Sequence, residues 1–155
     1  MSMRLETGPL EALEASLRRL FRWGNLPRLR ERLAARSGVL LDKASYSLIA
    51  PLEHGNLRVS EVAQRSGVDT STASRQIVQL ERDGVVRRKP DAEDGRASIL
   101  ELTGLGKRHL KKISAARQAM LAEILSDFSH DDMTQLAGLL ERLNRSIASY
   151  LDNER

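Results

Sequence analysis

The chain has 155 residues, enough for one domain with a sizeable core, and 41% hydrophobic with 30% charged residues excludes a disordered polymer. A formal net charge of +4 and a pI of about 9.8 suit an anionic partner but are too modest to identify one alone. Aromatic content of 3% offers no stacking platform for single-stranded nucleic acid, and the lack of cysteine excludes disulfides, thiol redox sensing and thiolate metal sites.

The opening stretch, MSMRLETGPLEALEASLRRLF, alternates acids and bases around no apolar signal core. No run approaches the ~20 apolar residues needed to span a bilayer. A cytoplasmic protein without a membrane partner is therefore expected. Leu10, Leu13, Leu17, Leu20 and Phe21 fit one helical stripe, with Arg18, Arg19 and Arg22 off it. Pro27 lacks an amide donor and disfavours helix at Leu26, so Trp23-Gly24-Asn25-Leu26-Pro27 predicts a kink or break. Leu29 and Leu33 resume the spacing until Ser37-Gly38. Asp42 is the expected N-cap of the next helix, whose core face is Leu48, Ile49 and Leu52. Pro51 falls inside that helix, where it costs about 3 kcal/mol unless the helix bends, so a bend is expected. Leu57 to Val59 reads as a short strand.

From Val59 the pattern becomes two short helices around a glycine turn. Ser60 is the expected N-cap of the first, which carries Val62 and Ala63 and stops at Gly67. Asp69 caps a second helix over Thr70 to Asp83, with Ala73, Ile77 and Leu80 as its buried stripe. Thr72, Arg75, Gln76 and Gln79 form a second, polar stripe without the Glu/Lys ladder usual on solvated helices. Arginine donates a forked pair of hydrogen bonds to guanine, and glutamine both donates to and accepts from adenine. Ser71, Thr72 and Ser74 lie in the first turns, where hydroxyls and free amides suit phosphate oxygens. These residues predict a helix-turn-helix whose second helix reads the DNA major groove.

Gly84 then breaks the helix. Val85 to Lys89 and Ala97 to Leu102 read as strands of a hairpin with Arg87, Arg88 and Lys89 at its root. Arg96, near the tip, is placed to enter a narrow minor groove, and Asp94 can hold its guanidinium by a forked salt bridge. Thr103 caps a long helix containing Leu110, Ile113, Ala116, Met120, Ile124 and Phe128. Ser129 with Asp132 looks like a capping arrangement for a last helix, along which Met133, Leu136, Leu140, Leu143, Ile147 and Leu151 form a seam. That seam suits either intrachain core or a partner copy.

Three segments, VSEVAQRSGV, STASRQIVQLERDGVV and DAEDGRASILELT, together resemble the winged helix-turn-helix of the MarR family of bacterial transcription regulators. The Asp94-Gly95-Arg96 triplet resembles the family's D-x-R wing motif, and Leu102-Thr103 its junction into the dimerisation helix. The expected fold is mainly α with a small β-hairpin wing: a winged helix-turn-helix lobe over 37–102, flanked by N- and C-terminal dimerisation helices in 1–36 and 103–155. The resemblance implies a ligand-responsive repressor that binds double-stranded operator DNA as a homodimer. Two-fold symmetry would place half-sites about one helical turn, ~34–36 Å, apart on a pseudo-palindrome. It also implies a small-molecule crevice, for which Trp23, Leu26, Tyr46, Ile49 and Ile113 are the candidate lining.

An enzyme is the first rival. His54, His109 and His130 are scattered without a metal or triad spacing, and Gly104-Leu105-Gly106 is too short for a phosphate loop. Catalysis, a metal and a cofactor are therefore not expected. The second rival is a winged-helix module that binds proteins and no DNA.

Overall fold

The computed structural model describes residues 8–91 and 98–153. Pro9 and Pro27 each stand at the start of a helix, where a missing amide donor costs nothing. They open α1 (Pro9–Gly24) and α2 (Pro27–Ser37), so the WGNLP interruption is a break between two helices. Asn25 closes it locally, its Nδ2 donating to the Phe21 carbonyl at 3.1 Å.

Asp42 caps α3 (Lys43–Ile49), accepting from the Ser45 amide at 2.6 Å. The bend expected at Pro51 takes another form. The α-helix stops at Ile49 and Ala50–His54 continue as a 3-10 turn, in which Pro51 breaks no α-helical bond. Strand β1 is only Leu57–Arg58, because Val59 already belongs to α4 (Val59–Ser66). Ser60 is therefore not the N-cap. Arg58 occupies that position, and the Glu61 carboxylate accepts from its amide at 2.7 Å.

At Gly67, with φ of 68°, the chain turns left-handed and the Val68 amide donates to the Ala63 carbonyl at 3.1 Å. Asp69 caps α5 (Thr70–Arg82). Gly84, φ 70°, repeats the turn, with the Val85 amide donating to the Leu80 carbonyl at 2.9 Å. Strands β2 (Val86–Pro90) and β3 (Ser98–Leu102) follow, and Ala97 lies outside the described residues. The sheet is antiparallel in the order β1-β3-β2, with Leu57 opposite Leu100 and Arg87 opposite Glu101.

One core joins these pieces: Leu48, Ile49 and Leu52 from α3 and its 3-10 extension, Val62 and Ala63, then Ala73, Ile77 and Leu80, and finally Val85, Val86, Leu100, Leu102 and Leu110. Each fully buried aliphatic side chain contributes about 1.5–3 kcal/mol, so α5 is fixed chiefly by Ile77 and Leu80. Thr103 locks the sheet to α6 (Gly104–Ile124): its Oγ1 donates to the Gly84 carbonyl at 2.6 Å and accepts from the Gly106 amide at 3.1 Å.

The chain divides into two compact units at Arg117/Gln118. In the second, α6 ends at Ile124, so Phe128 lies past the helix that was expected to include it. Ser129 and Asp132 form the expected capping box of α7 (His130–Asp152), with reciprocal bonds of 3.0 and 3.1 Å. Along α7, Leu143 is half-buried whereas Met133, Leu136, Leu140, Ile147 and Leu151 are exposed. No described helix is long and apolar enough to cross a membrane.

Candidate nucleic-acid interface

Helix α5 buries one side, with Ala73, Ile77 and Leu80 at 0%, 1% and 2% exposure, and this fixes what it presents outward. Arg75 and Gln79 are exposed, while Thr72, Ser74 and Gln76 are half-buried along the flanks. Gln76 is drawn inward because the buried Ala73 at i−3 and Leu80 at i+4 are its neighbours around the helix. The line opposite the buried stripe is Ser71, Arg75, Val78 and Arg82, all exposed. Val78 and Arg82 were missed by choosing a stripe of long polar residues. Counting i, i+4, i+7 and i+11 from Ser71 finds them.

The first turn is less open to phosphate than its hydroxyls promised. Asp69 accepts from the Ser71 hydroxyl at 2.5 Å, the Thr72 hydroxyl at 2.7 Å and the Thr72 amide at 2.8 Å. These bonds, that from Ser71 foremost, hold its carboxyl well below the usual aspartate range. The hydroxyl protons thus serve the cap. Arg75 extends along the helix, with Nη2 3.5 Å from the Thr72 hydroxyl, and Gln79 donates to Asp83 at 2.9 Å. Local contacts of this kind are lightly held on an exposed face and leave both side chains able to turn to a ligand.

The bases at the hairpin root each meet a carboxylate. Arg87 Nε donates to Glu101, Lys89 Nζ lies 2.6 Å from Glu101, and Arg88 Nε lies 3.0 Å from Glu81 of α5. Arg58 clamps Asp91 through Nε at 2.8 Å and Nη2 at 2.6 Å, tying β1 to the residue that follows β2. None of these four pairings was anticipated, since no local pattern announces a partner on another element. Asp94 and Arg96 lie outside the described residues.

Of the candidate crevice residues, Ile49 is buried in the core cluster and Ile113 is buried too. Trp23 and Leu26 are exposed at the α1–α2 break. Tyr46 is half-buried, and its hydroxyl accepts from Arg117 at 2.8 Å while that guanidinium lies 4.8 Å from the ring centre. Arg117 was not foreseen.

A helix-turn-helix anchored on a small antiparallel sheet, with a basic polar helix face outward, defines the winged-helix class of DNA-binding regulators. Residues 52–98 match the MarR family model. The uncharacterized HTH-type transcriptional regulator YxaD of Bacillus subtilis is 36% identical over 107 residues, covering 68% of this chain and 75% of the relative. The HTH-type transcriptional repressor MdtR of the same organism is 32% identical over 98 residues, 63% of either chain. A MarR family protein from Bacillus stearothermophilus shares the fold with a TM-score of 0.75 at 23% identity, covering 89% of this chain and 97% of that one. The chain belongs to the MarR family of DNA-binding transcriptional regulators.

Proposed function

We propose that the protein is a repressor that binds a pseudo-palindromic operator as a homodimer, with α5 in the major groove. The observation that carries this reading is the outward face of α5, where Arg75 stands exposed opposite a fully buried stripe and Gln79 stands exposed beside it. Arg75 and Gln79 read base edges, with Gln76 and Thr72 at the edge of the contact and Ser74 toward the backbone. Arg96 is proposed for the minor groove on sequence grounds, held by Asp94. Ser71, tied to Asp69, shapes the first turn, and Arg87 and Arg88 act under the restraint of their carboxylates.

Support for a dimer comes from the exposed apolar side chains of α7, together with Leu10, Leu13, Leu20 and Phe21 of α1, surface that is costly to leave in water. The name of the MdtR relative supports repression. A small-molecule effector is proposed at Trp23, Leu26 and Tyr46, on the strength of the exposed apolar side chains at the α1–α2 break and the half-buried tyrosine of α3. Such a ligand acts only through different affinities for two arrangements of the protein.

The test is a fluorescence-anisotropy titration with duplex from upstream of the protein's own gene, in excess non-specific competitor. Arg75→Ala is expected to weaken binding about 5- to 150-fold, as loss of a forked base contact does. Equal affinity for competitor and upstream duplex, or an unaffected Arg75→Ala variant, refutes the reading.

A further inference from the structure

Strand alternation sorts the wing sheet into two faces. Leu57, Val86, Leu100 and Leu102 are buried on the inner one. On the outer face, opposite residues share a side, so Arg58, Arg87 and Lys89 lie with Ile99 and Glu101. Glu101 is the anomaly there: it is 9% exposed, on a face whose other charged residues are exposed cations. The side chains it binds are 60% exposed for Arg87 and 47% for Lys89. Its two oxygens go to different cations, Oε1 to Arg87 and Oε2 to Lys89.

A carboxylate so covered is tolerable only while both oxygens are partnered. The Lys89 bond, reinforced by Arg87, holds its carboxyl below the usual glutamate range, so it stays charged at neutral pH. While paired to Glu101 either cation brings a DNA phosphate little net charge, and if it leaves to neutralise one, the carboxylate remains covered and under-partnered. Phosphate contact is the sequence-independent part of binding, and what counts in a cell is the ratio of specific to non-specific affinity.

We infer that Glu101 is a positioning residue for DNA specificity: it holds Arg87 and Lys89 on the outer face of the wing, withholding two cations from indiscriminate phosphate contact and leaving discrimination to α5. The inference rests on the reading of α5 as a DNA surface.

The variant Glu101→Gln keeps the shape and removes the charge. Titrations with a random-sequence duplex at several salt concentrations read both affinity and salt slope. Two released cations are expected to raise non-specific affinity about 10-fold at 0.1 M salt and to steepen the slope by about 1–2. Affinity for the selected operator rises less, so the specificity ratio falls. Adding Arg87→Gln and Lys89→Gln to Glu101→Gln returns the slope to the wild-type value, and Glu101→Asp, which retains the charge, stays near wild type. A purely structural role moves the melting temperature and not the slope. Glu101→Thr, a residue at home in strands, repeats the measurement if the Gln variant does not fold. An unchanged slope in the charge-removing variants, with wild type binding duplex normally, overturns the role of Glu101 alone. Wild type that binds no duplex overturns the DNA reading as well.

Discussion

Asp69 shows how one side chain trades a possible ligand contact for local order. Three donors converge on it, and its carboxyl is held well below the ordinary aspartate value of 3.8. A depressed folded-state value means that the stabilisation is complete above the unfolded value of about 4 and drains away as pH falls below it. Asp69→Ala is therefore expected to lower the thermal midpoint by about 2–4 °C at pH 6, with the gap to wild type closing as pH drops toward 2. Scanning calorimetry across that range measures it. A gap that stays constant would show that the ionised state of the Asp69 carboxyl adds nothing to folding. The residue was legible as a cap because capping is local, an acceptor beside the free amides three positions on. Its capture of the Ser71 and Thr72 hydroxyls was not, since the same hydroxyls suit a phosphate equally well.

Elements meet where the Thr103 junction brings α6 against the start of the wing. A Cβ on Gly106 would stand 2.2 Å from the Val85 carbonyl oxygen and 3.0 Å from Leu102 Cδ2. The Thr103 amide donates to that same carbonyl at 3.1 Å, so the backbone there has little room to yield. In an open helix, Gly→Ala gains up to about 1 kcal/mol. Here overpacking against backbone outweighs that gain, and Gly106→Ala is expected to destabilise by about 1–3 kcal/mol in urea titrations. Stabilisation instead would mean that α6 moves away from β2 freely. Most elements were readable in advance: the Ala73/Ile77/Leu80 period, the Gly67 stop and the Asp42, Asp69 and Ser129 caps are all written within a few residues. Pro51 was read correctly as a disturbance, but local rules do not choose between a bent α-helix and a 3-10 turn. What stayed hidden is non-local. Arg58–Asp91 spans 33 positions and Arg117–Tyr46 spans 71, distances that only the folded sheet and helix packing bring together.

At the scale of the molecule, a reading lobe that covers only a few base pairs has to be repeated to specify a site in a genome. On the proposed dimeric reading, a second copy covers exposed apolar side chains of α1 and, separately, of α7. Charge is distributed to match. The net of +4 is modest, and Arg87, Arg88 and Lys89 at the hairpin root sit beside Glu81 and Glu101, so these bases do not add up to a broad positive field. On the reading proposed above, discrimination falls instead to the exposed face of α5. Selection of duplexes from a random library, run in parallel for wild type and Arg75→Ala, tests this most directly. Wild type is expected to enrich a two-fold-related motif whose half-sites lie about 10 base pairs apart, and Arg75→Ala to lose preference at one symmetric base pair in each half. Enrichment of no motif, or of the same motif with equal preference by both proteins, would contradict the assignment of α5 as the reading helix.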